Sequence, residues 1–139
     1  MHSYSITKAA FYQSFKVLER EFRDDGSKVI VGSFKPGVVD TNMQGRIRTS
    51  DVSDMPIVKN FQTMKDNVAS LASASHSGGY LPRPPPNGAL DSPDNVAYFV
   101  EYLLLGTTDE EFANASDSNE YDIRNKDLFP RWIPEKNLP

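Results

Sequence analysis

The sequence predicts an α/β fold built on a parallel sheet. Three observations point there: a helical stripe of about five turns, a short strand apolar on both faces after it, and a Pro-Gly stop behind that strand. From about 3 to 22, Phe11, Phe15, Leu18 and Phe22 recur three and four positions apart, and Ile6, Ala10 and Val17 make a second stripe. That spacing predicts a helix buried on two sides. Asp24, Asp25 and Gly26 interrupt it, Gly26 being suited to a left-handed C-terminal turn. The run KVIVGSF, about 28–34, is rich in Val and Ile without alternation, as in a strand inside a parallel sheet, and Pro36-Gly37 ends it. Helix, short turn and doubly buried strand make half of a βαβ unit, which calls for a preceding parallel strand that these residues do not contain.

Beyond Thr41 the pattern is weaker. Ile57, Phe61, Met64, Val68 and Leu71 fall roughly on one face, predicting a helix over 56–73. The stretch SHSGGYLPRPPPNG, 75–88, is dense in Pro and Gly and predicts a long loop, of a kind that often binds or covers a ligand. Order resumes at Ser92-Pro93, an N-cap followed by Pro at the first helical position, opening a helix over about 93–105. The tail, 106–139, is polar, with one short strand near 121–123. No internal repeat is present.

Composition narrows the function classes. The chain has 139 residues, 38% hydrophobic and 24% charged, enough for one domain with a core. Its net charge of -4 and scattered Lys and Arg leave no basic stripe for a nucleic acid. The absence of cysteine removes disulfides, zinc ribbons and thiol catalysis, and suits a reducing compartment. The most apolar window, Val96 to Gly106, is about half a membrane span and contains Glu101. No secretory leader pattern opens the sequence, so the expected location is cytoplasmic, with no membrane partner. His2 and His76 have no partners at ligand spacing, so no metal site is expected. Trp132 is expected to pack on the domain surface, and Pro84 to Pro86 to serve as a rigid spacer.

Inside MHSYSITKAAFYQSFK the pattern Tyr-x-x-x-Lys occurs twice, as Tyr4 to Lys8 and as Tyr12 to Lys16. In a helix each pair shares a face, with the ammonium about one turn from the phenol. A phenol titrates near 10, and bringing it to about 7 takes roughly 4 kcal/mol, more than one solvated lysine supplies. A cofactor or a dry pocket has to help. Tyr4 begins the helix, at the level of a sheet's carboxyl edge where ligands sit, whereas Tyr12 lies two turns further in. Ala9 and Ala10 follow Lys8 and permit close approach, while bulky Val17 and Leu18 follow Lys16. Tyr4 and Lys8 are therefore the candidate pair, and Tyr12 and Lys16 are read as structural.

The residues Ser3 to Ala10, followed by VIVGSFKPGVVDT, resemble the short-chain dehydrogenase/reductase family. That family's active-site motif is Tyr-x-x-x-Lys with Ser or Thr before the Lys and small residues after it, as Thr7, Ala9 and Ala10 stand here. Its later motif is a hydrophobic strand ending in Pro-Gly with a Thr four residues on, as Pro36, Gly37 and Thr41 stand here. Of the two pairs, Tyr4 and Lys8 give the family's spacing from helix to strand. The stretch PGVVDTNMQGRIR looks most like the sepiapterin-reductase-like and benzil-reductase-like branch. The resemblance runs in order through helix, strand, a substrate-loop region about 42–90 and the Ser-Pro-Asp-x-Val-Ala helix, and it covers the second half of the family's domain. It implies the C-terminal half of a Rossmann-type doubly wound parallel sheet, with the glycine-rich pyrophosphate turn, the ribose-reading residue and the catalytic Ser of the N-terminal half missing.

The resemblance also implies a mechanism. Tyr4 would donate a proton to a carbonyl oxygen as hydride arrives from the nicotinamide, and Lys8 would stabilise the phenolate and hydrogen-bond the nicotinamide ribose. Backbone after Pro36 and Gly37, above all Val39, would hold the carboxamide together with the Thr41 hydroxyl. The cofactor is NADP or NAD, the substrate a small carbonyl compound or alcohol, and the intact form a homo-oligomer. The competing expectation is a truncated, non-catalytic product acting as an interaction or dimerisation module through the first helix.

Overall fold

The computed structural model describes residues 2–74, 82–114 and 121–138. In chain order the elements are α1 (His2–Asp24), β1 (Phe34–Lys35), α2 (Asn42–Arg48), α3 (Val58–Ala74), α4 (Pro93–Leu105), α5 (Asp109–Asn114), β2 (Tyr121–Asp122) and α6 (Phe129–Trp132). Two 3-10 turns, Lys126–Leu128 and Glu135–Asn137, flank α6. The architecture is α/β-like, helices with a two-stranded parallel sheet. The chain divides into two units, residues 1–35 with 107–122, and residues 36–106 with 123–139.

In the first unit, α1 has neither Gly nor Pro in its interior. Pairs at i and i+4 support it, Arg20 with Asp24 and Arg23 with Glu19. Its end is a Schellman turn: Ser27 N–H donates to Phe22 C=O at 3.0 Å, Gly26 N–H donates to Arg23 C=O at 3.2 Å, and Gly26 takes φ +65°. The sequence stripes call for burial on two sides, but only Phe15 is buried, while Ile6 and Phe11 are 68% and 71% exposed. Coverage explains the difference, because β1 and β2 are too small to shield two helix faces.

β1 pairs with β2 in parallel, Phe34 opposite Tyr121 and Lys35 opposite Asp122. The strand expected over 28–34 forms no ladder before Phe34, since the partner among the described residues is two residues long. Val29 and Ile30 are exposed as a result. α5 opens with a capping box: Glu111 N–H donates to Thr108 Oγ1, and Thr108 N–H donates to Glu111 Oε2. Phe112 of α5 stacks on Tyr121 with centroids 5.7 Å apart, and the Tyr121 hydroxyl donates to Glu111 C=O.

The second unit holds a larger apolar core. Ser92 caps α4 by accepting from Asn95 N–H, and Pro93 supplies the first turn. Asn95, Phe99, Tyr102 and Leu103 then fall on one buried face, while Leu104 and Leu105 face solvent. Trp132 is a core residue rather than a surface one. Its ring lies edge-on to Phe99 at 5.2 Å and to Phe129 at 6.3 Å. Asn125 starts the turn leading to α6 by accepting from Asp127 N–H, which turns the tail so that Trp132 and Ile133 reach the core.

The substrate-loop region 42–90 contains α3, the helix expected over 56–73, and a further short helix, α2, that the sequence pattern did not announce. An Asx turn at Asp51, accepting from Ser53 N–H and Oγ, lies between them. Gln62 Nε2 donates to Arg48 C=O, Asn67 Nδ2 donates to Gly88 C=O, and Leu90 N–H donates to Met64 C=O. These bonds fix α3 against α2 on one side and the 88–90 segment on the other. Of the Pro-rich stretch, 75–81 lies outside the described residues, and 82–88 is irregular.

A polar centre fastens this unit. Asp91 and Asn95 are 3% and 0% exposed. Asp91 Oδ1 accepts from Ser92 N–H and Arg83 Nη2, and Oδ2 accepts from Asn95 Nδ2. Asn95 also binds Arg83 on both sides of its peptide, accepting from its N–H and donating to its C=O, each at 2.9 Å. Asn95→Leu keeps the branched shape but removes the partner of the Arg83 N–H and C=O and of the buried Asp91 Oδ2. We expect it to lower stability by about 3 kcal/mol, read from the urea midpoint. A loss under about 1 kcal/mol would contradict the fastening role.

Candidate functional site

The segment Pro36 to Thr41 leaves the carboxyl end of β1. Gly37 takes φ +70°, and a Cβ there would meet Arg124 Nε at 3.3 Å, so the turn favours glycine twice over. Val39 then bridges in parallel to Asp91. The bonds are Asp91 N–H to Val38 C=O and Asp40 N–H to Asp91 C=O, both 2.9 Å. Val39's own N–H and C=O take no part in that bridge, as the parallel pattern dictates. Thr41 caps α2, its hydroxyl oxygen accepting from Gln44 N–H at 3.4 Å. A hydroxyl has two lone pairs and one proton, so this cap leaves the Thr41 proton free to donate.

Next to the cap, Asp40 accepts from Arg48 Nη2 at 3.1 Å through Oδ1 and from Lys65 Nζ through Oδ2. The Lys65 hydrogen bond is the largest influence, and together with Arg48 it outweighs partial burial and holds the Asp40 carboxyl below its usual range. An open cleft of about 1110 Å³ lies over this segment, with Asp40, Thr41, Asn42, Arg46 and Arg48 on its walls.

Tyr4 and Lys8 lie in α1 of the first unit. The Lys8 ammonium stands 5.8 Å from the Tyr4 ring centroid and 5.9 Å from that of Phe11. Tyr12 and Lys16 show the same arrangement at 5.3 Å. The two tyrosines are 49% and 39% exposed, so local geometry does not separate the pairs. Thr7 Oγ1 donates to Ser3 C=O, which commits the hydroxyl before Lys8 to its own helix.

The candidate residues thus fall into two groups. Tyr4 and Lys8 come together on one helix face, and Pro36, Gly37, Val39 and Thr41 come together in one turn anchored by Asp91. Sequence reasoning missed Asp40, Lys65, Asp91 and Asn95. The last two stand in the Asp-Ser-Pro-Asp-Asn run that marked the start of α4, while the Asp40–Lys65 pair spans 25 residues and leaves no local trace. Among the described residues no group of three His, Cys, Asp or Glu is placed to hold a metal, and no helix is long and apolar enough to cross a membrane.

Because Asp40 is easier to ionise folded than unfolded, it stabilises the fold above the ordinary carboxylate value of about 4, and this contribution fades as pH falls below it. Asp40→Asn should lower stability by about 1 kcal/mol at pH 7. Thermal melts from pH 7 down to 3 should show the gap to the parent narrowing below about pH 4. A gap independent of pH would contradict the ionic role.

Comparisons of the chain with models of known families, with curated proteins and with solved structures give no match.

Proposed function

We propose that this chain carries the catalytic part of an NAD(P)-dependent carbonyl reductase or alcohol dehydrogenase of the short-chain type, from a Rossmann-type sheet. The observation that carries this is the linked pair of motifs: Tyr4 and Lys8 on one helix, then a strand ending in Pro36-Gly37 with Thr41 behind it. Several features support it. β1 and β2 are parallel, and in parallel α/β sheets ligands lie beyond the carboxyl ends of the strands, the end from which Pro36 to Thr41 departs. Val39 keeps its N–H and C=O out of the Asp91 bridge, and Thr41 keeps a proton, a donor and acceptor set that fits a carboxamide.

A nicotinamide cofactor held by these residues would supply hydride to the substrate carbon in its reduced form, NADPH or NADH, and accept it in its oxidised form. The Tyr4 hydroxyl gives its proton to the carbonyl oxygen, forming the alcohol, and takes one back in the reverse direction. Lys8 would stabilise the phenolate so left and hydrogen-bond the nicotinamide ribose. Val39 and Thr41 would hold the carboxamide, and α2 and α3 would help exclude water from the substrate. The working form is a homo-oligomer acting on a small carbonyl compound or alcohol.

A second reading is an interaction module, and exposed Ile6, Phe11, Val17 and Leu18 on α1 favour it. Hydride transfer separates the two. In a polypeptide that supplies a pyrophosphate-binding half ahead of Ser3, NADPH oxidation by a test dicarbonyl is followed optically. Tyr4→Phe should slow it about a hundredfold or more with NADPH affinity unchanged, and Tyr12→Phe should change it less than about twofold. Equal losses would overturn the choice of pair. No reduction at all, with self-association abolished by Phe11→Glu, would favour the module.

A further inference from the structure

We propose that the cleft beside α2 binds an oxyanion, the carboxylate or phosphate of a small organic molecule, with Arg46 as its principal charge partner. The cleft lies wholly within the second unit. Its lining offers hydrogen-bond donors in excess of acceptors. The one carboxylate on its wall, Asp40, already has each oxygen engaged, by Arg48 and by Lys65. That cluster carries a net positive charge before Arg46 is counted. Arg46 is exposed, lines the cleft and has no ion pair among the described residues. Arg48 spends Nη2 on Asp40, while its buried Nη1 has no hydrogen-bond partner.

Two guanidinium groups around a cleft whose carboxylate is neutralised suit a planar carboxylate or a phosphate, which accept from a guanidinium two bonds at a time. Met43, half exposed on the same wall, provides an apolar contact for the organic part of the ligand. This assignment needs no dinucleotide and stands or falls separately from hydride transfer.

Calorimetric titration of the full chain at low ionic strength tests it, with inorganic phosphate and succinate as separate probes. The expected result is saturable 1:1 binding of at least one probe. Arg46→Ala should weaken it about tenfold or more, and Arg46→Lys less. Arg20→Ala, on α1 of the other unit, should leave it unchanged. Melting temperature without anion should be the same in the parent and in Arg46→Ala, which separates lost binding from lost folding. Tighter phosphate binding assigns a phosphate ester, and tighter succinate binding a carboxylic acid. No saturable binding of either probe, or equal affinity in the parent and Arg46→Ala, would overturn the proposal.

Discussion

Asp91 is a carboxylate with almost no access to water, and the second unit is arranged around that fact. An unpaired buried carboxylate costs several kcal/mol, so the fold must bring donors to it. Three arrive from different parts of the chain: the Ser92 N–H at the start of α4, the Asn95 amide one turn on, and the Arg83 guanidinium from the end of the Pro-rich stretch. Asn95 then clasps the Arg83 peptide from both sides, and Asn137 near the C-terminus donates to Pro82 C=O. An irregular, proline-rich segment with no ladder of its own is held by side-chain amides instead.

The same residue positions the candidate site. The Asp91 backbone bridges Val38 and Asp40, so the turn through Gly37 and Val39 is fixed to the start of α4. Asp40 leaves that bridge pointing its carboxylate at Arg48 and Lys65, tying α2 and α3 to the turn. Thr41 begins α2 immediately afterwards. A chain of short-range bonds therefore runs from a buried carboxylate to the backbone groups and hydroxyl available to a ligand.

What the sequence made legible was local. Ser92-Pro93 marked the start of α4, Gly26 the end of α1, and the short strand near Tyr121 was visible in the tail, because each is set by a few neighbouring residues. The Thr108-x-x-Glu111 box that opens α5 is equally local, but the expected tail, polar with a single short strand, omits α5. Illegible were pairings set by distant partners. The 28–34 run has strand composition, yet a ladder needs a neighbour, and β2 supplies two residues. Trp132 is buried because α4 presents Phe99 to it, a meeting between segments more than 30 residues apart in the chain. At the site, the linked motifs singled out Tyr4 and Lys8, whereas the side-chain geometry of the two Tyr–Lys pairs is alike. The Asp40 cluster depends on Lys65 and was silent in the sequence.

Amide hydrogen exchange at Arg83 tests the organising role of the Asp91–Asn95 centre most directly. Its N–H has no helix or strand to protect it and is held by Asn95 Oδ1 at 2.9 Å. The account predicts protection comparable with the buried α4 amides around Phe99, opening only with the whole unit. Exchange as fast as at the exposed Asn87 would contradict it.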